Sequence, residues 1–444
     1  MCDRHPAVHS QADIINVEMR VLIVAENASF KFGGEASLPV HYYRILRERL
    51  IPTWLLVHAR TRAELEALFP DDGDRITYVA DSAAHRVLWR ISHWLPRRLS
   101  SFTVEFVMRL MTQVTQRRLI RRIVREQHIT VIHQPTPVSP KEPSMIFGMG
   151  VPVVFGPMNG GMDYPPAFRR LESRGERLLL PVLRGLASAM NALMPGKRRA
   201  AVLLVANERT RAALPEGVCR RVMCIVENGV DLSLWQAGGD ADERTATLPV
   251  RFVFVGRLVD WKAVDLLLIA FKKGCGDAPM SLTIIGDGLE RAALERLARE
   301  LDILALQDGE PGRVFFAGWM SQAECAAQLR RRDALVLPSL YECGGAVVLE
   351  AMAIGIPAIA TDWGGPADYL DPSCGILVSP SSREAFIEGL ALALVRLARN
   401  PEERLAMGRA GRRKVVEQFD WNKKVDDVLA IYRDAIEHAS PQRT

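Results

Sequence analysis

Short runs of consecutive apolar residues alternate along this chain with longer amphipathic stretches, and the alternation occurs twice. In the first half the apolar runs fall at 19–26, 53–59, 130–132, 151–155, 201–206 and 220–226. In the second half they fall at 250–255, 281–285, 314–317, 334–337, 357–360 and 375–378. Runs this short and unbroken predict strands buried on both faces, as in parallel sheets. Helical spacing between them predicts helices over 38–50, 62–69, 289–301, 382–399 and 401–418. The pattern therefore predicts an α/β protein with two Rossmann-like halves.

The most informative stretch is SLYECGGAVVLEAMAIGIPAIATDWGGPADY, from Ser339 to Tyr369. It leaves the 334–337 strand, passes Gly344 and Gly345, and enters an Ala-rich helix stopped by Gly355 and Pro357. A bare-backbone turn feeding a helix N-terminus points several N–H groups outward, where they hold an anion. Glu342 precedes the glycines and Glu350 lies about two helical turns in. The plain alternative is one loop glutamate and one solvated helix glutamate. Glu350 sits in VVLEAMA, where a solvated face is out of place, so two acceptors for sugar or ribose hydroxyls suit the pair better.

Length adds that 444 residues exceed one ordinary core, so two domains are expected. Hydrophobic content of 48 % with 25 % charge describes a folded, soluble chain. No apolar run is long enough to predict a spanning helix. The polar segment 1–18 lacks a signal-peptide core and is expected to be a disordered tail. Seven singly scattered cysteines without metal-ligand spacing predict a reducing, cytoplasmic setting and neither disulfides nor a metal site.

The net charge of +5 is mild, but its distribution is not. Residues 85–125 hold ten arginines against one acid, Glu105, interleaved with Trp89, Trp94, Phe102 and Phe106. Basic, aromatic-rich amphipathic helices suit an anionic membrane surface, at the inner face of the cell membrane here. Two domain helices with solvated arginine faces are the plain alternative. Nucleic acid is not expected, because no recognition motif accompanies the charge. The apolar segment 177–200, with basic ends, is a second candidate for a surface-seeking helix.

Other candidates lie where strands end. Gly33 and Gly34 occupy the turn after the first strand, the usual ligand edge of an open α/β sheet, with Lys31 beside them. There is no GxGxxG fingerprint to support a nicotinamide cofactor. His133 and Lys141 lie on HQPTPVSPKEPS, a Pro-stiffened loop after the 130–132 strand. Asn159 and Asp163 lie on GPMNGGMDY. Gly256 ends the 250–255 strand, Arg257 follows at once, and Lys262 is read as opening a helix, so two cations five positions apart suit a diphosphate. Gly286 in G-D-G, and Gly318 with Trp319, mark the next two strand ends.

Together these segments resemble a known family. E-C-G-G-A-V-V-L-E is similar to the E-x7-E motif of retaining glycosyltransferases of family 4, the glycosyl transferases group 1 type. G-R followed by Lys262, the G-D-G turn and N-G-V-D near Asn228 match further elements of that family. The resemblance implies a GT-B fold, two Rossmann-like domains facing each other, with a C-terminal helix crossing back to the N-terminal domain. The expected division is a tail over 1–18, an acceptor domain over 19–235, a linker over 236–248, a nucleotide-sugar domain over 249–415 and the crossing helix over 416–444.

The resemblance also implies roles. Arg257 and Lys262 would neutralise the leaving diphosphate, Glu350 would hold ribose hydroxyls, and Glu342 with the N–H groups around Cys343, Gly344, Gly345 and Ala346 would hold the donor sugar. Gly33, Gly34, Gly256, Gly286, Gly318 and Trp319 would line the donor. His133 would approach the reacting sugar, and Asn159, Asp163 and Lys141 would face the acceptor. The turn is GPMNGG where many relatives carry a histidine, so the residue contacting the sugar stays open among Asn159, Asp163 and His133.

The expected reaction is retaining, metal-independent transfer from a nucleotide-diphosphate sugar, UDP- or GDP-linked, with no cofactor. The expected acceptor is a glycan or lipid-linked molecule in bacterial polysaccharide or cell-envelope synthesis. Two other classes compete: a nucleotide-sugar epimerase or phosphorylase on the same scaffold, and a non-catalytic membrane-surface protein. A phosphorylase would need a cofactor lysine that nothing marks. Retention of Arg257, Lys262, Glu342 and Glu350 together argues against the non-catalytic reading.

Overall fold

A computed structural model describes residues 18–92, 104–171, 189–237 and 248–439. Nearly all of the expected tail, the middle of the basic stretch, the 177–188 part of the second surface-seeking segment and most of the expected linker lie outside the described residues.

The apolar runs become thirteen strands in two all-parallel sheets. In the first sheet β1 (Val21–Val24) is flanked by β2 (Thr53–His58) and β4 (Val131–Gln134). Beyond them lie β3 (Ile76–Val79) on one side, and β5 (Val153–Met158), β6 (Val202–Val205) and β7 (Val222–Cys224) on the other. The order is β3-β2-β1-β4-β5-β6-β7. The four residues of β1 are wholly buried, which is why the run carries no polar alternation.

The second sheet repeats the plan. Strands β8 (Val250–Val255), β9 (Met280–Ile285), β10 (Val314–Gly318), β11 (Ala334–Leu337), β12 (Ala358–Thr361) and β13 (Gly375–Val378) lie in the order β10-β9-β8-β11-β12-β13. In both sheets the strand order reverses beside the first strand. This opens a crevice above β1 and β4 in one, and above β8 and β11 in the other. That topology gathers the loops carrying Gly33 and Lys141, and separately those carrying Arg257 and Glu342.

The chain divides into two units. Of the described residues, the first unit takes those within 18–161, 189–227 and 424–439. The second takes 162–171 and those within 228–423. The expected boundaries were 19–235 and 249–415. The exchange points are Glu227/Asn228 and Lys423/Lys424, and residues 162–171 belong to the second unit although they follow β5. The helix Trp421–Ala439 starts in the second unit and continues as part of the first.

Packing explains part of the arginine-rich stretch. Ile120 and Ile123 of the helix Val104–Glu126 are buried in a core with Leu22, Leu56, Ile132 and Phe155. Burial of that kind stabilises by about 2 kcal/mol per side chain. On the same helix Arg117 donates to the carbonyls of Met145 and Phe147, at 2.6 and 2.7 Å, and lies over the Phe147 ring. Arg118, Arg121, Arg122 and Arg125 remain exposed. So do Val87 and Trp89 of the helix Ala83–Ser92. The helix is thus a sheet-covering helix with one basic face. Among the described residues no helix is long and apolar enough to cross a membrane.

Candidate functional site

In the second unit, three glycine turns interlock at the C-terminal ends of β8, β9 and β10. Gly256 N–H donates to Ile285 at 3.0 Å, and Gly286 N–H donates to Gly318 at 2.7 Å. Gly286 has φ +135°, and a Cβ there would stand 1.9 Å from the Gly256 carbonyl. Only glycine allows these backbones to approach. The layer positions Arg257, which is exposed and has no ion-pair partner among the described residues. Trp319, next to Gly318, is also exposed.

Lys262 does not open a helix, as the sequence reading had it. It closes a single 3-10 turn, Asp260–Lys262, and the helix Val264–Gly274 follows Ala263. That turn meets the loop after β11: Leu340 N–H donates to the Trp261 carbonyl at 2.8 Å, and the Lys262 ammonium pairs directly with Glu342. The Lys262 and Glu342 side chains are only 15 % and 17 % exposed. The pair therefore sits where water screens it weakly.

Below Glu342 the backbone is again packed without side chains. Gly365 N–H donates to the Glu342 carbonyl at 2.8 Å, and a Cβ on Gly364 would stand 2.4 Å from the same oxygen. Gly345 caps the helix Ala346–Ile354 in the left-handed conformation, φ +77°. Gly344 is buried, and Cys343, Gly345 and Ala346 are partly so. One turn farther, Glu350 is partly buried with no hydrogen-bond partner among the described residues, and burial pushes its pKa up to about 7. Burial, with the charge of Glu350 adding to it, raises the Cys325 thiol to about 11. Glu350 is thus a desolvated acceptor without a protein donor, suited to the hydroxyls of a ligand.

The first unit gathers its own edge. Gly33, with φ +100°, caps the helix Gly34–Glu48, and a Cβ on Gly33 or Gly34 would meet nothing within 4 Å. Lys31 is exposed beside it. Glu35 accepts the Val138 N–H at 3.0 Å, and Asn159 N–H donates to the Val138 carbonyl at 2.8 Å. The Pro-rich loop is held from below. Lys197, which is buried, donates to the Ser139 and Pro140 carbonyls at 3.3 and 2.7 Å, and burial lowers its pKa to about 7. Asn191 donates to the Lys141 carbonyl at 2.8 Å. The sequence reading missed Lys197 because GKRR looked like the basic end of a surface helix.

His133 is corrected. It belongs to β4 and not to the loop, and it is fully buried. The Tyr432 hydroxyl lies 2.6 Å from Nδ1, and Nε2 lies 2.6 Å from the Gly156 carbonyl. That carbonyl requires the proton on Nε2, so Tyr432 donates to Nδ1. Tyr42 meets the imidazole edge-on with centroids 4.8 Å apart. Burial drives the His133 pKa down to about 4. A neutral ring with both nitrogens engaged is a packing group, not a sugar contact.

The residues of the expected acceptor set fall in both units. Asn159 is buried in the first unit, its Oδ1 at 3.4 Å from both Asn207 Nδ2 and Thr210 Oγ1. Asp163 is exposed in the second unit, where its carbonyl accepts Trp363 Nε1–H at 2.8 Å. Lys141 is partly buried in the first.

Solved structures share this fold. A glycosyltransferase from Rickettsia africae superposes with a TM-score of 0.64 at 12 % identity, covering 95 % of this chain and 99 % of that one. HepE of Anabaena, solved in complex with UDP, superposes with a TM-score of 0.62 at 15 % identity, covering 94 % of this chain and 100 % of that one. The chain thus has the fold of GT-B glycosyltransferases. Among curated proteins, glycogen synthase of Mycobacterium tuberculosis (strain CDC 1551 / Oshkosh) is 30 % identical over 234 residues, 49 % of this chain and 53 % of that protein. A D-inositol 3-phosphate glycosyltransferase of Mycobacterium bovis (strain BCG / Pasteur 1173P2) is 34 % identical over 230 residues, 49 % of this chain and 45 % of that protein. The chain spans about half the length of the curated relatives it matches. Residues 241–414, which carry Arg257, Lys262, Glu342 and Glu350, match the family model of glycosyl transferases group 1.

Proposed function

We propose that this protein is a retaining, metal-independent glycosyltransferase that uses a nucleotide-diphosphate sugar, UDP- or GDP-linked, and no cofactor. The observation that carries the reading is the convergence at the β8/β11 crevice. An exposed Arg257, the Lys262–Glu342 pair, the Gly345-capped helix and a Glu350 without a hydrogen-bond partner among the described residues lie along one edge of one sheet. In the proposed complex the two cations and the helix N-terminus stabilise charge growing on the departing diphosphate, a term that often dominates catalysis. Glu350 accepts from ribose hydroxyls and Glu342 from the donor sugar. The leaving phosphate assists deprotonation of the acceptor hydroxyl on the same face, so configuration is retained without a carboxylate nucleophile.

The acceptor in this reading is a glycan or lipid-linked molecule of bacterial polysaccharide or envelope synthesis, met in the cytoplasm at the inner face of the membrane. Support comes from Arg118, Arg121, Arg122 and Arg125, which leave a basic helix face open to anionic lipid. Titration calorimetry without added metal against UDP, GDP, ADP and their sugar conjugates tests the donor site. One diphosphate should bind, and Arg257→Ala should weaken it. No binding by any nucleotide overturns the reading.

A further inference from the structure

Around Phe147, three arginines from two separate segments gather on the flank of the first unit. Arg117 is fixed there. Its Nη1 donates to the Met145 and Phe147 carbonyls, and its guanidinium carbon lies 3.9 Å from the centre of the Phe147 ring. Arg199, on the 3-10 turn Lys197–Arg199 that leads into β6, brings its guanidinium carbon to 5.5 Å from the same centre. Arg121 stands one turn along the helix from Arg117, on the same face. Arg121 and Arg199 are exposed, and Arg117 is partly so.

Among the described residues no carboxylate pairs with any of the three. Burial, and after it the charges of Arg121 and Arg199, hold the Arg117 guanidinium below its usual pKa. Like charges kept together cost stability until a counter-charge arrives. Arg117 also keeps donors in reserve. With Nη1 spent on carbonyls, its Nε and Nη2 have no hydrogen-bond partner among the described residues. Those two nitrogens form the edge of the fork that matches two oxygens of an oxyanion. A phosphate monoester suits three such groups better than a diester does. It exposes three oxygens and carries about −1.5 to −2 charges at neutral pH. We infer that Arg117, Arg121 and Arg199 form a binding site for a phosphate monoester. The site goes beyond general attraction to anionic lipid, because it discriminates by headgroup and not by charge density. It needs no part of the transferase reading, since Arg257 and Lys262 lie in the other unit.

Calorimetry on the full chain with methyl phosphate and dimethyl phosphate tests the site. The monoester should bind at least about tenfold more tightly than the diester. Arg121→Gln and Arg199→Gln should each weaken it about fivefold or more. Arg409→Gln, which removes the same charge from an exposed position of the second unit, should stay within about twofold. No binding of the monoester, equal binding of the diester, or an equal loss in Arg409→Gln overturns the inference. A comparable loss in Arg257→Ala also overturns it, because the probe would then occupy the donor site. Failure of every nucleotide to bind defeats the transferase reading and leaves this site standing. Vesicles identify the source of the monoester. Phosphatidylcholine vesicles carrying phosphatidic acid are compared with others brought to the same surface potential by phosphatidylglycerol. Stronger sedimentation with phosphatidic acid, lost in Arg199→Gln, assigns a lipid headgroup. Equal sedimentation beside intact methyl phosphate binding assigns a soluble phosphate.

Discussion

Lys262 and Glu342 neutralise each other in a largely buried ion pair. An incoming diphosphate therefore competes with Glu342 for one ammonium. Two substitutions should act in opposite directions. Lys262→Met should weaken diphosphate binding by about 10- to 100-fold. Glu342→Gln should tighten binding of the bare diphosphate by about threefold, because it removes a negative charge and releases the lysine. Sugar transfer should fall in both. Calorimetry on the two variants checks this, and weaker diphosphate binding in Glu342→Gln would refute the competition.

Glu350 should leave a signature in stability against pH. Its folded pKa of about 7 lies above the ordinary 4.5. Between those values the folded protein keeps a proton that the unfolded chain has released, so stability falls as pH rises through that window. Glu350→Gln removes this component. Unfolding free energies by urea at pH 5, 6 and 7 should decline more steeply for the unmutated protein, by up to about 1.4 kcal/mol per pH unit. Parallel curves would show that Glu350 is solvated.

The glycine layer gives a steric prediction. Gly286→Ala forces a Cβ to 1.9 Å from the Gly256 carbonyl at a φ of +135°. Backbone must move, so the second unit should lose about 2 kcal/mol or more. Gly276→Ala, where a Cβ meets nothing within 4 Å, should stay within about 0.5 kcal/mol of the parent. Equal melting of the two variants would contradict the packing described.

Tyr432→Phe tests the reassignment of His133. It removes the donor to Nδ1 inside the first unit and should destabilise by about 1–3 kcal/mol. The diphosphate affinity of the second unit should not change. An activity profile that still showed a titration from His133 near neutral pH would reinstate it as a reacting group.

The chain's plan was legible wherever the signal was local. Apolar runs placed twelve of the strands, and glycines in fixed positions marked the turns around Glu342, Glu350 and Arg257. β3 was missed because ITYV is short and half-exposed. The helix Gln322–Leu329 was missed although Ser321 and Glu324 form a capping box that the spacing S-x-x-E announces. Misplacements came from partners distant in sequence. His133 was read as a loop residue because apolar residues end at Ile132, while the tyrosine that holds it lies 299 positions on. Nothing local to Met162 or Tyr164 signals that they leave the first unit for the turn at Gly364 and the ring of Tyr341.

The first unit is assembled from segments at both ends of the described chain, and this dictates an order of events during synthesis. His133 cannot be closed in until Tyr432 has been made, nor the Val226 carbonyl until Lys424 reaches it. The segment 228–423, with 162–171 already made, emerges before those residues do. Synthesis from the N-terminus therefore completes the sequence of the second unit before that of the first. A released chain ending at Lys423 should keep the second unit folded and leave the first open to protease.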